Sequence, residues 1–305
     1  MRLQEVEKGG SVGTRLLIRF ISLVSGMRLP DAARIVMYYK EFYGDPMTAW
    51  THPVMRGESS WSVGDRELMA ALTAKWNACP FCIDAHSSIA ALALDKSLVQ
   101  TALDDYRRAE LSPKLKATMV FLEKLAVRPG DVAVTDMQAV LHGGVSTGEM
   151  EDAMAVMTLF SITVRCANTF NFALLNGKDS ERAAKRMLAQ GYAWGKARTP
   201  PHPDHRALAE ALRRRVLEGP GVTDIALRQA VANRAAGGPA IGEPFDQLVF
   251  QIGEASYKVT DEQVKELVGE VKSEKAAFEI IVAAAVGAGL YRWQKGLEIL
   301  KGAMT

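Results

Sequence analysis

The sequence predicts an all-α protein, and three observations lead there. Apolar residues recur at three- and four-residue spacing across 13–25, 65–76, 114–126, 149–175, 206–217 and 274–300. Alternating patterns of the kind that build a half-buried strand are scarce. Helix starts are well marked. Ser112-Pro113 places a capping residue before a first-turn proline. Thr135-Asp-Met-Gln138, Ser146-Thr-Gly-Glu149 and Thr260-Asp-Glu-Gln263 fit a capping box, in which a hydroxyl and a side chain three residues on satisfy each other's free backbone donors.

Taken in order, the first apolar stretch carries Arg15 and Arg19 within its run. A secretory leader would be uninterrupted, so no targeting segment is read here. The charge-free runs Ala153–Val164 and Ile280–Tyr291 are twelve residues each. A bilayer span needs about 20, so both read as buried helices and no membrane partner is expected. His142-Gly143-Gly144 reads as a helix C-terminus. His52-Pro53 reads as a loop. Gly195–Asp204 contains Thr199-Pro200-Pro201-His202-Pro203, which cannot continue a helix. It predicts a division into 1–198 and a smaller 199–305.

Charge and cysteine usage exclude some functions. There are 37 basic and 35 acidic residues, so no basic excess points to nucleic acid. Three cysteines in 305 residues do not make a disulfide scaffold, and a cytoplasmic location is expected. The 13 methionines are scattered and read as core filler.

An internal echo is present. Val134-Thr-Asp-Met-Gln138 recurs as Val259-Thr-Asp-Glu-Gln263. Asp152 and Arg165, bracketing twelve uncharged residues, recur as Glu279 and Arg292. The first pair lies 125 positions apart and the second 127, so the echo as read needs a two-residue insertion. The second copy has no cysteine, which leaves it a structural task.

Chemistry concentrates in one place. Cys79-Pro80-Phe81-Cys82 is followed by His86 and preceded by Glu67. Asp65–Trp76 predicts an amphipathic helix that Asn77-Ala78 interrupts. Cys79 then serves as N-cap and Pro80 as the first helical residue. Cys79, Cys82 and His86 are three and four residues apart on the new helix, which stacks them on one face. Glu67 precedes Cys79 by twelve residues, about 18 Å along a straight helix. It reaches the thiols only if the chain bends near Asn77 or if it is supplied across a helix contact. A helix N-terminus stabilises a thiolate, and an imidazole can take its proton. A thiolate attacking a peroxide becomes a sulfenic acid, which a nearby thiol converts to a disulfide. The helix-end argument favours Cys79 as the more acidic thiol, and the position of His86 one turn beyond Cys82 favours Cys82.

Glu67, Cys79-x-x-Cys82-x-x-x-His86, and Asn77 two residues before the first cysteine resemble the AhpD-like alkylhydroperoxidase and carboxymuconolactone decarboxylase family. Residues 112–176, with Phe160 and Arg165-x-Ala167, resemble its continuation, and 259–300 resemble a degenerate second copy. The resemblance implies an all-helical, oligomeric fold without a cofactor. It implies Cys82 as the peroxide-attacking thiol, Cys79 as the resolving thiol, His86 as base and Glu67 as the residue tuning the proton relay. It also implies re-reduction by a dithiol partner. Family peroxidases can carry a second histidine between the cysteines, where this chain has Phe81.

Other readings of these residues stay in view. A CxxC can bind zinc, but Cys79, Cys82 and His86 lack a fourth ligand, and His202 and His205 sit in the proline-rich stretch. The two cysteines can also be a buried structural pair. Cys166 reads as a small core residue. Arg165 and Arg292 read as partners of a buried carboxylate or carbonyl. The expectation is a thiol peroxidase acting on a small hydroperoxide, without cofactor or metal. A lipoyl- or thioredoxin-like dithiol would reopen its disulfide, and subunits would pair through the apolar helices into a homo-oligomer. The alternatives are a carboxymuconolactone decarboxylase-like enzyme and a non-enzymatic redox-sensing assembly protein.

Overall fold

The computed structural model describes residues 1–192 and 199–305, and every regular element among them is helical. In the first half these are α1 (Gln4–Lys8), α2 (Val12–Ser25), α3 (Asp31–Tyr38), α4 (Asp45–Arg56), α5 (Val63–Trp76), α6 (Pro80–Ala93), α7 (Lys96–Asp105) and α8 (Pro113–Val127). The second half has α9 (Val134–His142), α10 (Thr147–Phe170), α11 (Gly177–Gln190), α12 (His205–Leu217), α13 (Ile225–Ala235), α14 (Asp246–Ala255), α15 (Asp261–Val271) and α16 (Glu274–Ala303). The predicted caps at Ser112, Ser146 and Thr260 form, each hydroxyl accepting the backbone N–H three residues on.

Several expectations are corrected. His52-Pro53 is not a loop; both residues lie in α4. Proline removes its own N–H but not its acceptor, and the Pro53 carbonyl accepts the Gly57 N–H at 2.7 Å. Thr135 is not an N-cap. The N-cap falls two residues earlier, at Ala133, and the Asp136 carboxylate accepts the Ala133 N–H at 2.7 Å. Helix α5 is buried nearly all round rather than amphipathic. The helical pattern read to 175 ends at Phe170. Of the linker candidate Gly195–Asp204, residues 195–198 lie outside the described residues, and 199–204 carry no helix.

The chain forms two compact units, each assembled from separate stretches rather than from 1–198 and 199–305. One comprises Met1–Ala49, Ile162–Asp179 and Arg206–Gly289. Its core gathers Tyr43, Phe170 and Phe278, with Phe170 and Phe278 stacked at 5.5 Å. Cys166 sits there fully buried, its thiol 3.9 Å from the Tyr43 hydroxyl, and burial pushes its pKa up to about 12. The other unit comprises Trp50–Ser161, Ser180–His205 and Leu290–Thr305. It holds the antiparallel pair α5 and α6 and the helices packed on them, α7 and α8.

The echo has a constant register of 127. Short 3-10 turns occupy Pro129–Asp131 and Ser256–Lys258, N-caps fall at Ala133 and Thr260, and the long helices start at Thr147 and Glu274. Arg165 donates to the Gly253 carbonyl at 2.8 Å, and Arg292 to the Ala126 carbonyl at 2.8 Å. All of these pairs share one spacing, so no insertion is needed. The 125-residue match of Val134 with Val259 compared a residue inside one helix with one outside the other.

Helices α10 and α16 are long and apolar enough to cross a membrane by length and composition. In each, 89% of the most apolar stretch is buried within the protein.

Candidate active site

The α5–α6 turn makes the site. The Ser62 hydroxyl caps α5 by accepting the Asp65 N–H at 3.0 Å. At the other end Asn77 closes the helix, its side-chain amide donating to the Thr73 carbonyl at 2.8 Å. Ala78 then adopts φ +47°, a left-handed conformation that reverses the chain. Cys79 is the N-cap of α6 and Pro80 its first residue, as the sequence predicts. The reversal lays α6 back along α5. Gly64 permits the closest approach, since a Cβ there would come within 2.5 Å of Leu94.

This hairpin removes the 18 Å objection to Glu67. Its carboxylate is fully buried and lies 2.7 Å from His86 Nδ1. Arg56 Nη2 pairs with it at 2.8 Å, and the Tyr192 hydroxyl donates to it at 3.0 Å. Burial by itself pushes the Glu67 carboxyl up. The hydrogen bond and charge of His86, and then the Arg56 guanidinium, more than offset that and hold it below the usual carboxylate range. An ionised carboxylate only accepts hydrogen bonds. Neutral His86 therefore carries its proton on Nδ1 and keeps a lone pair on Nε2.

Packing fixes the imidazole. Phe160 meets it edge-on at 4.3 Å, and the Tyr192 ring lies nearly parallel to it at 6.4 Å. Arg56 in turn sits over the Tyr192 ring at 5.1 Å. Burial pushes the Tyr192 phenol well above its ordinary value, and the Glu67 charge adds to this, so it remains a donor. Cys79 and Cys82 are both buried, and neither is held in a disulfide. The four predicted residues, Glu67, Cys79, Cys82 and His86, thus fall on two adjoining helices. Glu67 and His86 are in direct contact, and the cysteines precede His86 on α6.

Arg56 and Tyr192 are the residues that sequence reasoning missed. Arg56 ends α4, three residues beyond Pro53, in a stretch to which the sequence reading gave no chemistry. Tyr192 follows α11 and carries no motif. It enters because Gly191 has φ +69° and no side chain, where a Cβ would strike Arg56 and His52 below 3 Å. The Tyr192 N–H then donates to His52 Nδ1 at 3.2 Å.

A second polar cluster lies in the same unit. Asp152 Oδ1 lies 2.8 Å from Nε2 of both His202 and His205, and Ser59 donates to Oδ2 at 2.5 Å. Among the described residues this is the one set of histidine, cysteine and carboxylate donors gathered closely enough for a metal ion. The Trp50 indole N–H points at His205 Nδ1 at 3.3 Å. Neutral His205 therefore holds its proton on Nε2, directed at Asp152, and the cluster is satisfied as hydrogen bonds. Burial raises the Asp152 carboxyl, but the His205, Ser59 and His202 hydrogen bonds win and hold it low. Asp152 thereby pins the 202–205 segment to the loop before α5. Glu279, 127 positions on, likewise accepts the N–H groups of Val222 and Thr223.

No family model matches the chain, and no curated protein matches it. Solved structures similar to it include two peroxidase-related proteins. One is an uncharacterized peroxidase-related protein from Silicibacter sp. TM1040, at 22% identity and TM-score 0.49, covering 57% of this chain and 90% of that one. The other is an alkylhydroperoxidase AhpD core, an uncharacterized peroxidase-related protein from Ralstonia eutropha JMP134. It is 20% identical with TM-score 0.47, covering 56% of this chain and 88% of that one.

Proposed function

We propose that this protein is a thiol-dependent peroxidase that cycles Cys79 and Cys82 between dithiol and disulfide. The observation carrying the reading is the buried Glu67–His86 hydrogen bond at 2.7 Å. It leaves His86 Nε2 as a base one helical turn beyond Cys82. His86 takes the Cys82 proton, and the thiolate attacks the terminal oxygen of a hydroperoxide. The O–O bond breaks, Cys82 becomes a sulfenic acid, and the alkoxide leaves as the alcohol with the proton from His86. Cys79 then attacks the Cys82 sulfur and displaces water, forming the disulfide. An external dithiol of lipoyl or thioredoxin type reduces it through a mixed disulfide and is itself oxidised. Glu67 steadies the imidazolium in the first step, and Arg56 and Tyr192 hold Glu67 ionised and in place.

A peroxide-consumption assay with a dithiol reductant tests this. Cys82→Ser should abolish even the first turnover. Cys79→Ser should allow one equivalent of peroxide to react, trapping a sulfenic acid on Cys82 that dimedone labels. The reverse pattern exchanges the two thiol roles. Equal behaviour of wild type and both variants refutes the proposal.

A further inference from the structure

Helix α2 leaves an apolar face open. Its inner side packs down, with Ile18 joining Leu29 and Met37 in a small core that Ile21 and Ala33 flank. Its N-terminus is capped, Ser11 Oγ accepting the Thr14 N–H at 3.1 Å. The helix is thus seated on its own unit. On the opposite side Val12, Leu16, Leu17, Phe20, Leu23 and Val24 are between 48% and 82% exposed. Six large apolar side chains on one face of a 14-residue helix exceed the scattered exposure of an ordinary surface.

The charge on this helix selects what covers that face. It contains no Asp or Glu, and Arg15 and Arg19, both exposed, line one rim of the apolar face. The nearest acidic residues in sequence are otherwise engaged. Glu7 pairs with the N-terminus and Arg28, Asp31 pairs with Arg28, and Glu5 accepts from the Tyr38 hydroxyl. A symmetric pairing of two copies would set Arg15 and Arg19 against a helix that carries no acidic residue of its own. An anionic bilayer surface supplies both an apolar layer for the six side chains and phosphates for the two guanidinium groups.

We propose that α2 is a membrane-surface helix that docks the protein on anionic lipid, with its apolar face in the acyl–headgroup boundary. This departs from the expectation of no membrane partner, and it is independent of the thiol chemistry. Co-sedimentation of the full-length protein with vesicles tests it. One set contains phosphatidylglycerol with phosphatidylcholine, the other phosphatidylcholine alone. Binding to the anionic vesicles should be at least about tenfold tighter, and about 0.5 M salt should weaken it. Arg15→Gln with Arg19→Gln should lower anionic-vesicle binding by about tenfold. Leu16→Glu with Phe20→Glu should abolish it while circular dichroism stays unchanged. No binding of the wild type to anionic vesicles overturns the proposal, as does binding that both double variants leave intact. A wild-type dimer in light scattering that Phe20→Glu dissociates, with no vesicle binding, assigns the face to a second copy instead.

Discussion

Glu67 shows how one buried charge organises its neighbours. Its three donors, His86, Arg56 and Tyr192, come from α6, α4 and the turn after α11. Glu67→Gln should slow the first peroxide turnover at least about tenfold, because the neutral amide no longer steadies the imidazolium. It also leaves the Arg56 guanidinium without its counter-charge, so urea unfolding should show a loss of about 3 kcal/mol. The pH dependence follows from the depressed carboxyl. The native state holds Glu67 ionised at a pH where the unfolded chain, with a carboxyl near about 4.3, already takes up a proton. The stability gap between wild type and Glu67→Gln should therefore be full above about pH 5 and shrink as pH falls through the native value. Tyr192→Phe keeps the ring on His86 and removes one donor. It should cost about 1 kcal/mol in urea and slow turnover by less than Glu67→Gln does. Cys166 makes the opposite case. Its thiol is pushed up to about 12 by burial, so iodoacetamide should label it at neutral pH only after unfolding. Cys166→Ala should leave peroxide turnover unchanged.

Among the elements, the α5–α6 hairpin sets the site geometry, and its turn and its closest approach can be tested separately. Ala78 pays a steric cost at φ +47° that glycine does not. Ala78→Gly should stabilise the protein by about 1 kcal/mol without changing turnover. Gly64→Val should push α5 away from Leu94, costing about 2 kcal/mol in urea melts. It should also slow peroxide reduction, because Glu67 lies one turn beyond Gly64 on the same helix. The hairpin was largely legible in the sequence. Asn77-Ala78 broke the apolar pattern, and Cys79-Pro80 marked a new helix start. The all-round burial of α5 was not legible, because periodicity reports one buried face and is silent about neighbours that cover the other.

Across the whole molecule, the two stretches 127 residues apart repeat their elements but not their chemistry. Arg165 and Arg292 each spend a buried guanidinium on a carbonyl that an α8 or α14 helix end leaves free. Glu279 is fully buried, lies 3.5 Å from the equally buried Arg228, and satisfies two backbone N–H groups. Glu279→Ala should therefore cost about 3–5 kcal/mol in urea, whereas Arg228→Met with Glu279→Gln should cost less, since no charge is left stranded. The sequence showed the echo but misaligned part of it. A shared Val-Thr-Asp string looked stronger than the spacing of caps and turns, and only backbone geometry distinguished them.

Local chemistry in the amino-acid order determined the helical class, most helix starts and the grouping of Cys79, Cys82, His86 and Glu67. Those features depend on neighbours within a few turns. The contact of Glu67 with His86, and the arrival of Arg56 and Tyr192 at the same carboxylate, were decided only when distant segments packed. So were the convergence of His202 and His205 on Asp152 and the open apolar face of α2. Each depends on which surfaces folding brings together or leaves uncovered, and a pattern read along one strand of sequence carries no record of that.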